Sequence, residues 1–257
     1  MSDPELLYEV RERVAWLTLN RPDRRNAISP GMIALFFEHL DQAEADDAVR
    51  VLCISHVGDR AFCSGADLMG GGEDGPLAAT REYARLLKRL AVFPKPLVAR
   101  LDGSCLAGGL GLMLSCDVVY ARAGVSFSTP EVKVGLFPMM IGALIFRNVQ
   151  RKKALEMVYT GRQYSAAEAA EMGLITRCYD DSAGLDAAVE ETLAAIGRNA
   201  PVAIRVGRQA FAAVQDRPLE PALDHLCEQL GVVLATEDAA EGLQAFFQKR
   251  EPDFQGK

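Results

Sequence analysis

Histidine is scarce. The 257 residues include three, His39, His56 and His225, with no HExxH pair and no cysteine partner at metal-ligand spacing, so no metal site is expected. The six cysteines (Cys53, Cys63, Cys105, Cys116, Cys178, Cys227) form no Cys-x-x-Cys pair and lie mostly in apolar runs, which reads as reduced, buried thiols. A Gly-x-Ser-x-Gly elbow is missing around Ser64 and Ser104, a Walker A lysine is missing, and "GGLGLM" fails the dinucleotide fingerprint at its third glycine. Nucleophilic, metal and nucleotide-phosphate chemistries therefore lose ground. No apolar run reaches the roughly 18 residues of a membrane span, and "MSDPELLYEV" has no export pattern. Positive charge is short too: the net charge of -7 repels a duplex or an anionic membrane at long range. These absences predict a cytoplasmic protein with neither a nucleic-acid nor a membrane partner.

What is present is an ordinary globular composition, 49% hydrophobic and 25% charged, with ample material for a core. "LLYEVRERVAWLTLNRP" reads as two strands stopped at Arg21-Pro22. "SPGMIALFFEHLDQAEAD" reads as an amphipathic helix with Ser29 as N-cap and Pro30 at the first position. "VRVLCISHVG" is a buried strand, and "AFCSGADL" leaves it through a glycine turn. A helix over 80–92, a strand at "KPLVARLDG", a helix at "GLGLMLSCD", short strands at "VVYAR" and "VSFST" and a helix at "MMIGALIFRNV" follow. This alternation predicts an α/β fold with strands buried between helices. From "SAAEAAEMGL" onward the pattern is almost wholly helical, broken at Pro201. We expect a core over 1–195 and a helical region over 196–257 that packs on the body or on another subunit. The glycine-rich 70–76 loop is the one whose composition predicts mobility.

Chemistry then falls to the backbone. "CSGADL" and "LAGGLGL" are glycine-bearing strand exits separated by a helix and a strand, and adjacent parallel units would bring both to one end of a sheet. The first N–H groups of a helix lack intrahelical partners, which suits a developing oxyanion. Gly108, Gly109 and Gly111 at one helix start cost about 2 to 3 kcal/mol relative to alanine. Tight packing accounts for one or two of them; a site accounts better for the cluster. Glu131 in "TPEVKVG" is the carboxylate flanked by apolar chain on both sides, on a rigid turn or strand start set by Pro130. Desolvated, it would have a raised pKa and could act as acid and base. On composition alone, an exposed glutamate paired with Lys133 is the plainer reading.

"RPDRRNAIS", "AFCSGADL", "GSCLAGGLGLMLSCD" and "TPEVKVGLFP", in this order and spacing, resemble the enoyl-CoA hydratase/isomerase (crotonase) superfamily. The likeness runs from about residue 7 to the closing "FFQKREPDF". It implies a spiral of ββα units, a helical C-terminal region that builds a homotrimer or a dimer of trimers, and an acyl-CoA thioester as ligand. No permanent cofactor is implied, since coenzyme A arrives as part of the substrate. Carried over residue by residue, the Ala66 and Gly108 N–H groups become the donors of an oxyanion hole, and Glu131 the acid/base. Coenzyme A contacts fall on Arg24, Arg25 and Ala27, on Ser64, Gly65, Asp67 and Leu68, and along Gly109 and Gly111. Lys249 matches a position that approaches the CoA phosphates, sometimes from a neighbouring subunit. The arginines have a second reading as solvated loop charges.

The chain departs from the two-glutamate hydratases at one position. Their first glutamate stands three residues after the oxyanion glycine, and here that residue is Gly111. A single carboxylate suffices for a Δ3-Δ2 enoyl-CoA shift. It also suffices for hydration, if it deprotonates water attacking C3 and returns the proton to C2. Some relatives with glycine here resemble hydratases of branched or carboxylated enoyl-CoAs, the methylglutaconyl type among them. We therefore expect a hydratase, with an isomerase as alternative, an idle acyl-CoA scaffold as a reading of another class, and RNA binding as a weaker one. Glu73 or Asp74 stands as a candidate compensating acid.

Overall fold

A computed structural model describes residues 3–66 and 76–257. Asp67, Leu68, Glu73, Asp74 and most of the glycine loop lie outside the described residues. The chain opens with the strands β1 (Leu6–Arg11) and β2 (Val14–Leu19), a single 3-10 turn over Pro22–Arg24, and the helix α1 (Pro30–Ala45). Next come β3 (Val51–His56), β4 (Ala61–Cys63), α2 (Pro76–Ala91), β5 (Leu97–Leu101), β6 (Ser104–Leu106) and α3 (Gly108–Leu114). After β7 (Val118–Arg122) and β8 (Ser126–Ser128), a 3-10 turn over Pro130–Val134 leads into α4 (Met139–Asn148) and α5 (Arg151–Thr160). The rest is β9 (Tyr164–Ser165), α6 (Ala166–Glu171), β10 (Arg177–Tyr179), α7 (Ser182–Arg198), α8 (Pro201–Val214), α9 (Leu219–Leu234) and α10 (Glu237–Gln248).

Successive strands go to different sheets. β1-β2-β3-β5-β7-β10 form a six-stranded sheet and β4-β6-β8-β9 a four-stranded one. Thus β3, β5 and β7 enter the first sheet, β4, β6 and β8 the second, and α2, α3 and α4 follow in turn. This is a spiral of ββα units. Among the described residues only the β1–β2 and β8–β9 pairings are antiparallel; β3, "VLCISH", is covered on both faces and is buried at every residue. Ser29 Oγ accepts from the Met32 N–H at 3.0 Å, capping α1 as expected.

One core lies between the two sheets and the helices α1 to α4, with Phe36, Leu52, Phe62, Leu90 and Met113 in it. The opposite face of the six-stranded sheet packs Val51, Cys53 and Val98 against Leu185, Val189 and Leu193 of α7. At the end of β3, where the His56 ring stands edge-on to Phe62, the Asp102 N–H donates to His56 Nε2 at 3.0 Å. Burial, joined by the nearby Arg100 charge, lowers the His56 pKa from 6.5 to about 4.

Two expectations need correction. The stretch read as almost wholly helical holds the strand β10, which closes one edge of the six-stranded sheet against β7. Three residues of strand between helical stretches are too few to show a period of two. The cysteines are not uniformly buried: Cys53, Cys63 and Cys105 are, Cys116 and Cys178 are partly exposed, and Cys227 on α9 is exposed. α9 buries only Ala222, leaving Leu219, Leu223, Leu230 and Leu234 exposed. Phe246 and Phe247 of α10 are 77% and 80% exposed. No helix among the described residues is long and apolar enough to cross a membrane.

Candidate active site

The site begins where β4 and β6 end. The two strands pair in parallel, Ala61 opposite Ser104 and Cys63 opposite Cys105, so both chains leave the sheet on the same side. From β4 the chain runs through Ser64 and Gly65 to Ala66; from β6 it runs through Ala107 into α3. Gly65 has φ +102°, and a Cβ there would lie 2.8 Å from the Ala107 Cβ and 3.1 Å from the Gly108 nitrogen. Only glycine fits that backbone and that approach. A Cβ on Gly108 would lie 3.4 Å from the Ala66 nitrogen, so the two amides stand side by side. Among the described residues neither N–H has an acceptor, and Ala66 is exposed while Gly108 is half-buried. A ligand oxygen can therefore reach both.

The turn that aims the Gly108 amide is strained. Ala107 has φ 48° and ψ -129°, a conformation that costs a side-chain-bearing residue about 1 to 3 kcal/mol. Its own N–H donates to the Ser128 carbonyl at 2.9 Å, tying the turn to β8. Gly109 is held for another reason: a Cβ there would stand 2.5 Å from the Cys63 carbonyl oxygen, where α3 presses on the end of β4.

The same bond to Ser128 links the donors to the carboxylate. Ser128 ends β8, and Glu131 follows on the 3-10 turn that Pro130 opens. Thr129 Oγ1 donates to the Met157 carbonyl at 3.0 Å and Ser128 Oγ to the Gly161 carbonyl at 3.1 Å, fixing the turn from α5. Glu131 is half-buried, its Oε2 is buried without a hydrogen-bond partner, and burial raises its pKa above the ordinary 4.5. It makes no ion pair with Lys133 among the described residues, so the plainer reading of that glutamate does not hold. An unpaired acid of raised pKa can both take and return a proton near neutral pH.

Arg24 and Arg25 are exposed on the loop after β2, and this loop is sewn to the β4 exit. The Ser64 N–H donates to the Arg25 carbonyl at 3.1 Å and the Ile28 N–H to the Gly65 carbonyl at 2.8 Å. Arg24, Arg25, Ala27, Ser64 and Gly65 thus form one rim beside Ala66. Asn26 anchors the rim: it is 1% exposed, and its Nδ2 donates to the carbonyls of Val57 at 3.1 Å and Ala61 at 2.8 Å. Its buried place behind the rim carries no signal in "RRNAIS". Lys249 stands apart as the exposed C-cap of α10, with no described hydrogen bond to the rim.

Residue 111 holds the least expected geometry. A Cβ on Gly111 would lie closer than 3.0 Å to Tyr83 Oη and 2.9 Å from Ile141 Cγ2. The space is filled by a tyrosine from α2, whose Oη donates to the Gly108 carbonyl. Nothing in "REYARLLKRL" beyond its helical period marks that residue.

A family profile described as Enoyl-CoA hydratase/isomerase matches residues 9–257. The chain belongs to the enoyl-CoA hydratase/isomerase family. It is 35% identical over 256 residues to the 2,3-dehydroadipyl-CoA hydratase of Escherichia coli, covering 98% of this chain and 99% of that one. It is 32% identical over 252 residues to the (E)-benzylidenesuccinyl-CoA hydratase of Thauera aromatica, covering 96% and 98%. Among solved structures, an enoyl-CoA hydratase from Mycobacterium smegmatis superposes with a TM-score of 0.91 at 31% identity, over 98% of this chain and 99% of that one. The spiral is the crotonase fold, and the family acts on coenzyme A thioesters.

Proposed function

We propose that this member of the enoyl-CoA hydratase/isomerase family is a hydratase that adds water across the 2,3 double bond of an enoyl-CoA thioester. The observation that carries the reading is Glu131, with its buried, unpartnered Oε2, on a turn tied through Ser128 to the paired Ala66 and Gly108 amides. The Glu131 carboxylate takes a proton from water as the water oxygen bonds to C3. The double-bond electrons shift onto C2 and the thioester carbonyl, whose oxygen gains negative charge. The Ala66 and Gly108 N–H groups receive that charge without reorganising. The protonated Glu131 then delivers its proton to C2, which restores both the thioester and the base. Coenzyme A lies along Arg24, Arg25, Ala27, Ser64, Gly65 and Gly109, and the anionic phosphates draw Lys249, from this chain or a neighbouring one. Relatives named as hydratases support water addition.

A second reading, the Δ3-Δ2 isomerase, is favoured by one observation: no carboxylate can occupy position 111 while Tyr83 fills its space. Incubating the protein with 2-enoyl and 3-enoyl thioesters in deuterated water and weighing the products separates the two. Hydration adds the mass of water, isomerisation only exchanges deuterium, and an idle scaffold does neither.

The exposed apolar residues of α8 to α10, Phe211, Leu219, Leu230, Phe246 and Phe247 among them, form a surface of the kind that subunit contacts cover. We assign the helical region beyond residue 195 to the homotrimer, alone or stacked as a dimer of trimers.

A further inference from the structure

Tyr83 is a buried polar side chain beside the oxyanion donors that the chemistry above leaves unused. It begins the buried stripe of α2, Tyr83, Leu86, Leu87 and Leu90, and is 5% exposed. Its hydroxyl reaches out of the core to the first turn of α3, donating to the Gly108 carbonyl while the Leu112 N–H faces the same oxygen. Those two groups are the i and i+4 partners of the first helical hydrogen bond, so the phenol sits on that joint. Phenol and side chain are mutually exclusive here: any Cβ at 111 would collide with Tyr83 Oη and with Ile141.

The joint needs a clamp. Ala107 holds a backbone conformation that persists only where its surroundings over-determine it. Its upstream side is fastened by its own N–H to Ser128. Its downstream side, the Gly108 peptide, is fastened by Tyr83. Burial pushes the phenol pKa well above 10.0, so the hydroxyl stays protonated and donating across the working range.

We propose that Tyr83 is a positioning residue of the oxyanion hole: its hydroxyl, seated in the space a side chain at 111 would need, clamps the Gly108 carbonyl so that the Gly108 N–H stays aimed beside that of Ala66. The proposal rests on the reading of these two amides as the thioester donors. It explains why residue 111 is glycine, since even alanine would unseat the clamp. Misplacement of a donor by about 1 Å costs up to roughly a hundredfold in rate.

The test uses acetoacetyl-CoA, whose enolate, formed by loss of a C2 proton, absorbs in the near ultraviolet where the keto form does not. Bound to the protein, its enolate fraction against pH reads the oxyanion hole without any turnover. Tyr83→Phe, which keeps the ring and removes the hydroxyl, is expected to raise the enolisation midpoint by about one pH unit, a tenfold loss of enolate stabilisation. With an enoyl-CoA, kcat should fall about 10- to 100-fold while KM moves less than about threefold. Gly111→Ala should reproduce the shift by displacing the phenol, and Tyr83→Phe/Gly111→Ala should be no worse than either single change. If Tyr83→Phe does not fold, Gly111→Ala with the tyrosine retained gives the same reading. Normal enolisation by the wild type that is unchanged in both single variants overturns the role of Tyr83 alone. No enolisation by the wild type overturns the donor-pair reading, and this proposal with it.

Discussion

Arg208 Nε on α8 lies 2.9 Å from Asp117 Oδ2, at the end of the turn after α3, and the same guanidinium donates to the Leu90 carbonyl at 3.2 Å and to that of Phe93. One cation thus closes the C-terminal end of α2, satisfies Asp117, and docks α8 on the spiral. Its side chain is only 12% exposed, so solvent screens it little. Arg208→Ala is expected to cost about 2 to 3 kcal/mol by leaving those acceptors unmet. Urea unfolding should show a lower midpoint with an unchanged slope. Arg208→Lys, a point charge without the fork, should recover only part of it.

Glu131→Gln separates activity from stability. Turnover should fall by about a hundredfold to ten-thousandfold, the range for a general acid/base, while CoA-thioester binding stays near normal. Because burial raises the Glu131 pKa in the fold, the folded state holds its proton more tightly than the unfolded chain. Stability is therefore greatest below the unfolded value and falls as pH rises through the folded one. At pH 7 Glu131→Gln should melt at a higher temperature than the wild type, and the gap should close below about pH 4. The acid limb of kcat/KM should lie above the ordinary carboxylate range for the same reason.

His56 sets an acid limit on the fold. Its pKa is lowered to about 4 from 6.5, so protons bind the unfolded chain first as pH falls. The neutral ring contributes stability that is whole above 6.5 and lost between 6.5 and about 4. Chemical denaturation across that window should show a decline on the order of 3 kcal/mol that His56→Gln largely removes.

Gly109→Ala should inactivate the protein through the backbone. The added methyl meets the Cys63 carbonyl at 2.5 Å, and the atom in the way cannot swing aside. α3 must retreat from β4, which pulls the Gly108 amide from that of Ala66. Circular dichroism should show a folded protein with a lowered melting point, and turnover should drop by more than tenfold.

For the homotrimer proposed above, Phe246→Asp with Phe247→Asp on α10 should dissolve the assembly. Both rings are exposed in the single chain, so the change costs the subunit little by itself. Light scattering is expected to shift from trimer or hexamer towards monomer.

The spiral was legible where apolar pattern and punctuation agree. β3 is a continuous apolar run, Ser29-Pro30 announces α1, and the "CSGA" and "LAGG" exits show where main chain, not side chain, faces outward. The hidden features depend on distant partners. β10 is strand because β7 lies beside it, and its three residues carry no period of their own. Tyr83 shows its helical face in the sequence but not the helix it reaches, twenty-five residues further on. The vacancy at Gly111 could be read as a missing acid, yet its occupant came from another element.

The amides of Ala66 and Gly108 belong to the main chain, and that has an evolutionary consequence. Mutation exchanges side chains, but only proline deletes an amide hydrogen. A lineage that inherits these two strand exits therefore inherits the paired donors almost indelibly. On the proposed reading of these amides, Glu131 stands on a separate turn and stays open to exchange, so new reactions can be tried on the acyl group without rebuilding the grip on it.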